Sequence, residues 1–290
     1  MTFDVENDVV VDVQGLSKSF GDKHILSDVG FRIHRGDAAV IIGPSGGGKT
    51  TLLRCLTLLS QPDEGSVRIG DVAFTMRQAD AGGIGPWFGL SKLLAGKTAL
   101  ENVYRTNGKS RDRLSSEELR RLRLHCGFVF QQYNLWPNKT GLENIIEALV
   151  VVKKLARDEA EKRAIQVAEE LDITDILKSY PNAMSGGQQQ RLALARTLAI
   201  EPTVLLLDEI TAALDVEVVA DILSVLTKIR QQGRTMVLIS HHLEFVKRVA
   251  DRVFFLADGN LLDCGTPEEA FEHPPTERLQ KFLGQVVATH

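Results

Sequence analysis

Residues 38–56 commit this chain to a strand, a tight loop and a helix in immediate succession. Ala38-Ala39-Val40-Ile41-Ile42 is an apolar run of buried-strand length, and Thr51-Leu52-Leu53-Arg54-Cys55-Leu56 leads out with helical spacing. Between them, Gly43-Pro44-Ser45-Gly46-Gly47-Gly48-Lys49-Thr50 fits the phosphate-loop pattern, with Gly43, Gly48, Lys49 and Thr50 at its fixed positions. The glycines let consecutive amide hydrogens curl inward, and the helix start adds partial positive charge. Lys49 would neutralise β- and γ-phosphates, and Thr50 would offer its hydroxyl to magnesium. The expectation is an α/β fold holding a nucleoside triphosphate along Gly43 to Thr51.

Bulk properties narrow the classes. A length of 290 residues fits one large α/β domain or two modest ones, and apolar and charged fractions of 43% and 25% suit a globular protein. A net charge of −4 makes no case for a general nucleic-acid binder. Cys55, Cys126 and Cys264 have neither disulfide-framework nor metal-ligand spacing, which suits a reducing cytosol. The N-terminal residues 1–6 lack the basic-then-apolar order of a signal peptide. No apolar run approaches the ~20 residues needed to span a bilayer, so a membrane link is expected only through a partner.

Elements can be placed coarsely from periodicity. Residues 9–13 and 29–33 read as strands around a polar turn at Gly21-Asp22, and 65–70 as another short strand. The stretch 71–124 resists assignment: Ala81 to Gly89 is Gly-rich and loop-like, and Ser115-Ser116-Glu117-Glu118 resembles a capping box opening a short basic helix. Residues 127–131 are strand-like, 140–178 show helical spacing, and 186–199 form a further helix. Three strand–helix alternations follow, with strands at 204–207, 236–239 and 253–256, which implies parallel pairing.

A second motif joins the phosphate loop. Thr203-Val204-Leu205-Leu206-Leu207-Asp208-Glu209 is an apolar strand ending in two acids. Asp208 at its carboxyl end can hold magnesium, and Glu209 can polarise an attacking water as general base. A third is Met184-Ser185-Gly186-Gly187-Gln188-Gln189-Gln190-Arg191 at a helix start. Ser185 and the Gly186 and Gly187 amides would form a second anion cradle there.

The Ser185-Gly186-Gly187-Gln188 string resembles the signature of ATP-binding cassette ATPases, with Met184 where that family usually has Leu. The resemblance implies a P-loop NTPase core with a mostly parallel sheet, an antiparallel β subdomain and an inserted α-helical subdomain. It also implies a two-fold dimer in which each signature covers the ATP held by the other subunit's loop. Further parts follow residue by residue. Phe20 falls where the family stacks an aromatic on adenine, although a core phenylalanine is the competing reading. Gln131 matches the glutamine that reaches magnesium and senses the membrane partner, with Gln132 as its neighbouring competitor. Asp215 matches the inter-subunit loop, and His241 the γ-phosphate-sensing histidine, with His242 in competition. The assigned set is catalytic Glu209, His241, Lys49 and Gln131, with Thr50, Gln131 and Asp208 on the metal.

The resemblance covers about residues 9–283 as one domain: a catalytic core near 9–70, 125–131 and 182–265, a helical subdomain near 132–181, and C-terminal helices at 266–285. Residues 132–137, 141–144 and 208–211 resemble the ATPases of polar amino acid importers, as does a closing helix at 271–283. The chain's end at His290 argues against the sugar- and methionine-type importers, whose ATPases carry an extra domain. Between Lys49 and Gln131 it is about 25 to 30 positions longer than that group, a surplus falling in 71–124. Trp87, Phe88, Leu90, Leu93 and Leu94 suit either a docking element or a self-packed excursion.

The implied function is ATP hydrolysis for an importer of amino acids or similar polar solutes, with Mg2+ as cofactor. The implied partners are a second ATPase copy or a homologue, membrane permease subunits and a solute-binding protein. Its expected place is the cytoplasmic face of the inner membrane. An exporter or lipid-handling ATPase, or a non-transport cassette protein, is the alternative.

Overall fold

The computed structural model describes residues 8–76, 114–211 and 216–289. Most of the 71–124 surplus, the residues Trp87 to Leu94 included, therefore lies outside the described residues, as does Asp215. The chain divides into two compact units, Met1–His34, Gly43–His125 and Phe255–Asp263 in the first, and Arg35–Ile42, Cys126–Phe254 and Cys264–His290 in the second.

From the N-terminus come β1 (Val9–Phe20), β2 (Lys23–His34), β3 (Ala38–Ile42), α1 (Lys49–Leu56), β4 (Glu64–Ile69) and β5 (Val72–Met76). Then follow α2 (Ser116–His125), β6 (Cys126–Val129), α3 (Gly141–Val151), α4 (Arg157–Glu170) and α5 (Gly186–Leu198). The remainder is β7 (Val204–Asp208), α6 (Val216–Gln231), β8 (Met236–Ile239), α7 (Leu243–Val249) and β9 (Arg252–Ala257), ending with β10 (Asn260–Asp263), α8 (Pro267–Glu272) and α9 (Glu277–Thr289).

In the first unit, β2-β1-β4-β5 form a four-stranded sheet, antiparallel at the three contacts between neighbours. Val11 and Val13 of β1 sit opposite Ile33 and Phe31 of β2 on one side, and opposite Ile69 and Val67 of β4 on the other. This apolar row across three strands is the unit's core face. β1 and β2 run well beyond the apolar cores at 9–13 and 29–33, and β5 has no counterpart in the periodicity reading. Most of the exposed residues of β1 and β2 are polar, so hydrophobicity does not mark where these strands end. α2 opens on a capping box: Ser115 Oγ accepts from Glu118 N, and the Ser115 amide donates to Glu118 Oε2 at 2.8 Å. It is pinned at its far end by Asp71, which takes hydrogen bonds from Arg121 and His125.

In the second unit, β3, β8, β7 and β6 lie side by side and all pair in parallel. Every residue of β3, β7 and β8 is buried, which is why these strands are continuous apolar runs without alternation. The helical spacing of 140–178 resolves into two helices. α3 ends at Val151, the chain turns with Lys154 in left-handed conformation (φ 61°), and α4 restarts at Arg157. The closing segment at 271–283 is likewise two helices. α8 stops at Glu272 because Pro274 and Pro275 cannot continue it, and α9 begins at Glu277. Among the described residues no helix is long and apolar enough to cross a membrane. Cys55, Cys126 and Cys264 are buried, and burial pushes the Cys55 thiol up to about 12, so it packs as an apolar group.

One buried polar side chain organises the turn before α3. Asn144 Oδ1 accepts from Trp136 N at 2.9 Å, while its Nδ2 donates to the carbonyls of Trp136, Lys139 and Thr140 at 3.0–3.2 Å. Asn144 has no exposed surface, so truncation strands Trp136 N and Lys139 O, while Trp136 O and Thr140 O keep backbone donors. Asn144→Ala is expected to cost about 2–3 kcal/mol in urea denaturation. A shift under about 0.5 kcal/mol would mean that solvent replaces the amide.

Candidate functional site

The phosphate loop belongs wholly to the first unit. Gly43 has φ 149°, and a Cβ there would lie 2.1 Å from Leu256 O. Gly48, at φ 96°, caps α1 with no side chain, and a Cβ there would meet Ile25 O at 2.8 Å. These two positions therefore admit only glycine. Lys49 is almost fully buried, and its Nζ donates to Gly43 O and Pro44 O, both at 2.9 Å. Ser45 and Gly46 form the exposed crest, and Gly47 N donates to Pro44 O at 3.1 Å. A buried ammonium held under a curled, exposed backbone is what an incoming polyphosphate requires.

Phe20 ends β1 with 57% of its surface exposed, so it is not a core residue. Lys18 Nζ sits 5.1 Å from its ring centroid. An exposed aromatic beside a cation suits a purine ring. Phe20→Ala is expected to weaken nucleotide binding by about 5- to 10-fold, equally for ATP and GTP, since stacking reads little beyond the π-face. Titration with a fluorescent nucleotide tests this, and unchanged affinity would remove Phe20 from the site.

In the second unit, the paired acids end β7. Asp208 is 3% exposed, and Glu209 takes a left-handed backbone with φ 46°. The parallel register sets Asp208 beside Ile239 of β8, so the residues leaving both strands emerge together. His241 Nε2 consequently reaches Glu209 Oε1 at 3.0 Å, a bond that places the ring proton on Nε2. His242 instead occupies the N-cap position of α7, its amide donating to Ser240 Oγ. A carboxylate held by a histidine at a strand end can orient water and pass a proton.

The signature residues open α5. Ser185 Oγ accepts from Gln188 N, and Gln188 Oε1 accepts from Ser185 N at 3.0 Å, a closed capping box. Ser185 and Gly186 are exposed. Gly187 is buried because a Cβ would lie 2.7 Å from Val218 Cγ1 of α6. Gln131 and Gln132 are both exposed in the turn after β6. That turn is held from below by a residue the motif reading passed over. Arg196 donates to the carbonyls of Tyr133 and Asn134 at 2.8 and 2.7 Å and lies 5.1 Å from the Trp136 ring centroid. Both carbonyls belong to left-handed residues, φ 56° and 50°. Burial pulls the Arg196 guanidinium down to about 10. Its visible signal is an arginine set among the buried Leu and Ala of the second half of the helix.

Comparison with known proteins agrees with this geometry. The ABC transporter family profile matches residues 26–212. The probable amino-acid import ATP-binding protein YxeO of Bacillus subtilis is 40% identical over 277 residues, covering 96% of this chain and 97% of that protein. The L-cystine import ATP-binding protein TcyN of the same organism is 37% identical, covering 96% and 93%. Among solved structures, a dimeric ATP-binding cassette bound to ADP and Pi in a post-hydrolysis state is 30% identical. It superposes with TM-score 0.65 over 87% of this chain and 96% of that one. The chain therefore belongs to the ABC transporter family, as one of its ATP-binding cassettes.

Proposed function

We propose that this cassette is the ATP-hydrolysing subunit of a membrane importer for amino acids or similar small polar solutes, and that it works as a dimer on Mg-ATP. The observation that carries the catalytic part is the 3.0 Å contact between His241 and Glu209 at the paired ends of β7 and β8. Support for the cargo class comes from relatives named for amino-acid and L-cystine import.

Lys49 and the amides of the phosphate loop neutralise the β- and γ-phosphates. Glu209 takes the proton of the attacking water, and His241 keeps its carboxylate aimed. Ser185 and the Gly186 and Gly187 amides approach the γ-phosphate from the second copy, so ATP favours the closed dimer, the only state that offers it both cradles. Phe20 holds the adenine, and Asp215 lies in the loop that would couple the two sites. Thr50, Asp208 and Gln131 offer only oxygen donors, the set Mg2+ prefers. Among the described residues no cluster of three or more acidic, His or Cys ligands forms a cage. Mg2+ held with a nucleotide needs only one or two protein oxygens, and it would supply neutralisation of the charge developing on the transferring phosphate.

Motion at Gln131 and the segment after it would pass dimer closure to permease helices at the cytoplasmic face of the inner membrane. Purification of the native complex tests the assignment. Co-purifying permease and solute-binding subunits, the latter taking up an amino acid, would support it, whereas partners of exporter type would overturn the direction.

A further inference from the structure

The three consecutive glutamines of α5 perform three different tasks. Gln188 closes the capping box on Ser185, and Gln189 donates to Pro181 O and Met184 O. Gln190 turns the other way. It has no exposed surface, and its Nε2 donates to the carbonyl of Ile210, the residue directly after Glu209. Its Oε1 is buried without a hydrogen-bond partner among the described residues. An interior amide that leaves its acceptor unpaired is retained for its donor alone. That donor grips the Ile210–Thr211 peptide, one residue past Glu209, whose left-handed φ of 46° is a conformation that a glutamate rarely adopts unaided.

The geometry points to Gln190 as a positioning residue for catalysis. Its carboxamide fastens the Glu209–Ile210 turn to the signature helix, so that the Glu209 carboxylate stays on His241 and on the line of water attack. The inference rests on Glu209 being the general base. Because Gln190 sits five residues beyond Ser185 on one rigid helix, the strap joins the γ-phosphate cradle offered to a second copy to the base of its own chain. The signature helix is then also a positioner of the base, and a shift of α5 on engaging the second copy's nucleotide moves Glu209 with it.

Two variants of the full-length protein test this, each assayed for steady-state ATPase and for nucleotide affinity. Gln190→Met keeps the volume and removes the donor. Its kcat is expected to fall at least about 10-fold with KM for ATP within about 2-fold. Gln190→Glu presents a buried carboxyl whose titration is raised by desolvation, and only its protonated form can donate to Ile210 O. Its activity relative to wild type is therefore expected to rise at least about 3-fold between about pH 8.5 and about pH 6.5. The Gln190→Met ratio should stay flat over that range. A kcat for Gln190→Met within about 2-fold of wild type, or a flat ratio for Gln190→Glu, overturns the proposal. If Gln190→Met does not fold, the pH ratio of Gln190→Glu, read within one preparation, still decides. Turnover by Glu209→Gln separates the two layers: if that variant is inactive while both Gln190 variants are fully active, only the positioning role is lost.

Discussion

Glu209→Gln is expected to lower ATP turnover at least about 100-fold while leaving ATP affinity within a few-fold of wild type. The substitution keeps the shape of the side chain and its capacity to accept from His241 Nε2, 3.0 Å away, and removes only the ability to take a proton. Binding is carried elsewhere, by the phosphate loop and Lys49, which the substitution does not touch. With hydrolysis blocked, ATP should hold the protein in its closed dimer, seen as an ATP-dependent shift to twice the mass in size-exclusion chromatography. Robust multi-turnover hydrolysis would assign the proton to another group.

Gly43→Ala should be the most disruptive single methyl in the first unit. Its Cβ would lie 2.1 Å from Leu256 O and 3.1 Å from the carbonyl carbon, with the backbone at φ 149°. Both partners are main chain, so no rotamer change relieves the overlap, and the loop or β9 must move. A loss of more than about 3 kcal/mol in urea denaturation is expected, with ATP affinity down at least about 10-fold because the Gly43 carbonyl also receives Lys49. Gly233→Ala is the control. It has φ 74° and nothing within 4 Å, so it should cost only the ~1 kcal/mol of a left-handed alanine. Equal losses for the two would refute the steric account.

What could be read from residues alone follows a physical divide. The phosphate loop was legible because strand, loop and helix are contiguous, and each requirement is local: glycines for curvature, a lysine for charge, a hydroxyl beside it. The capping box at Ser115 is local for the same reason. The break between α3 and α4 was hidden because helical spacing persists through a short turn without glycine or proline. The ends of β1 and β2 were hidden because exposed strand residues are chemically ordinary.

His241 and Glu209 show where local chemistry stops. Adjacent histidines at 241 and 242 were both candidates, and only the resemblance in strand spacing favoured His241. The register of β7 on β8 does, because Asp208 opposite Ile239 lets one histidine ring reach the acid and starts α7 on the other. Gln190 is the same case in reverse, one glutamine in a row of three until α5 packs and turns it toward Ile210. The amino-acid sequence by itself determined the loop, the acidic strand end and the signature, since each is a short run whose chemistry is complete in its own neighbours. Only the tertiary structure decided which histidine meets Glu209 and which glutamine holds the turn behind it. Those choices are set by strand register and helix packing between residues 20 to 32 positions apart.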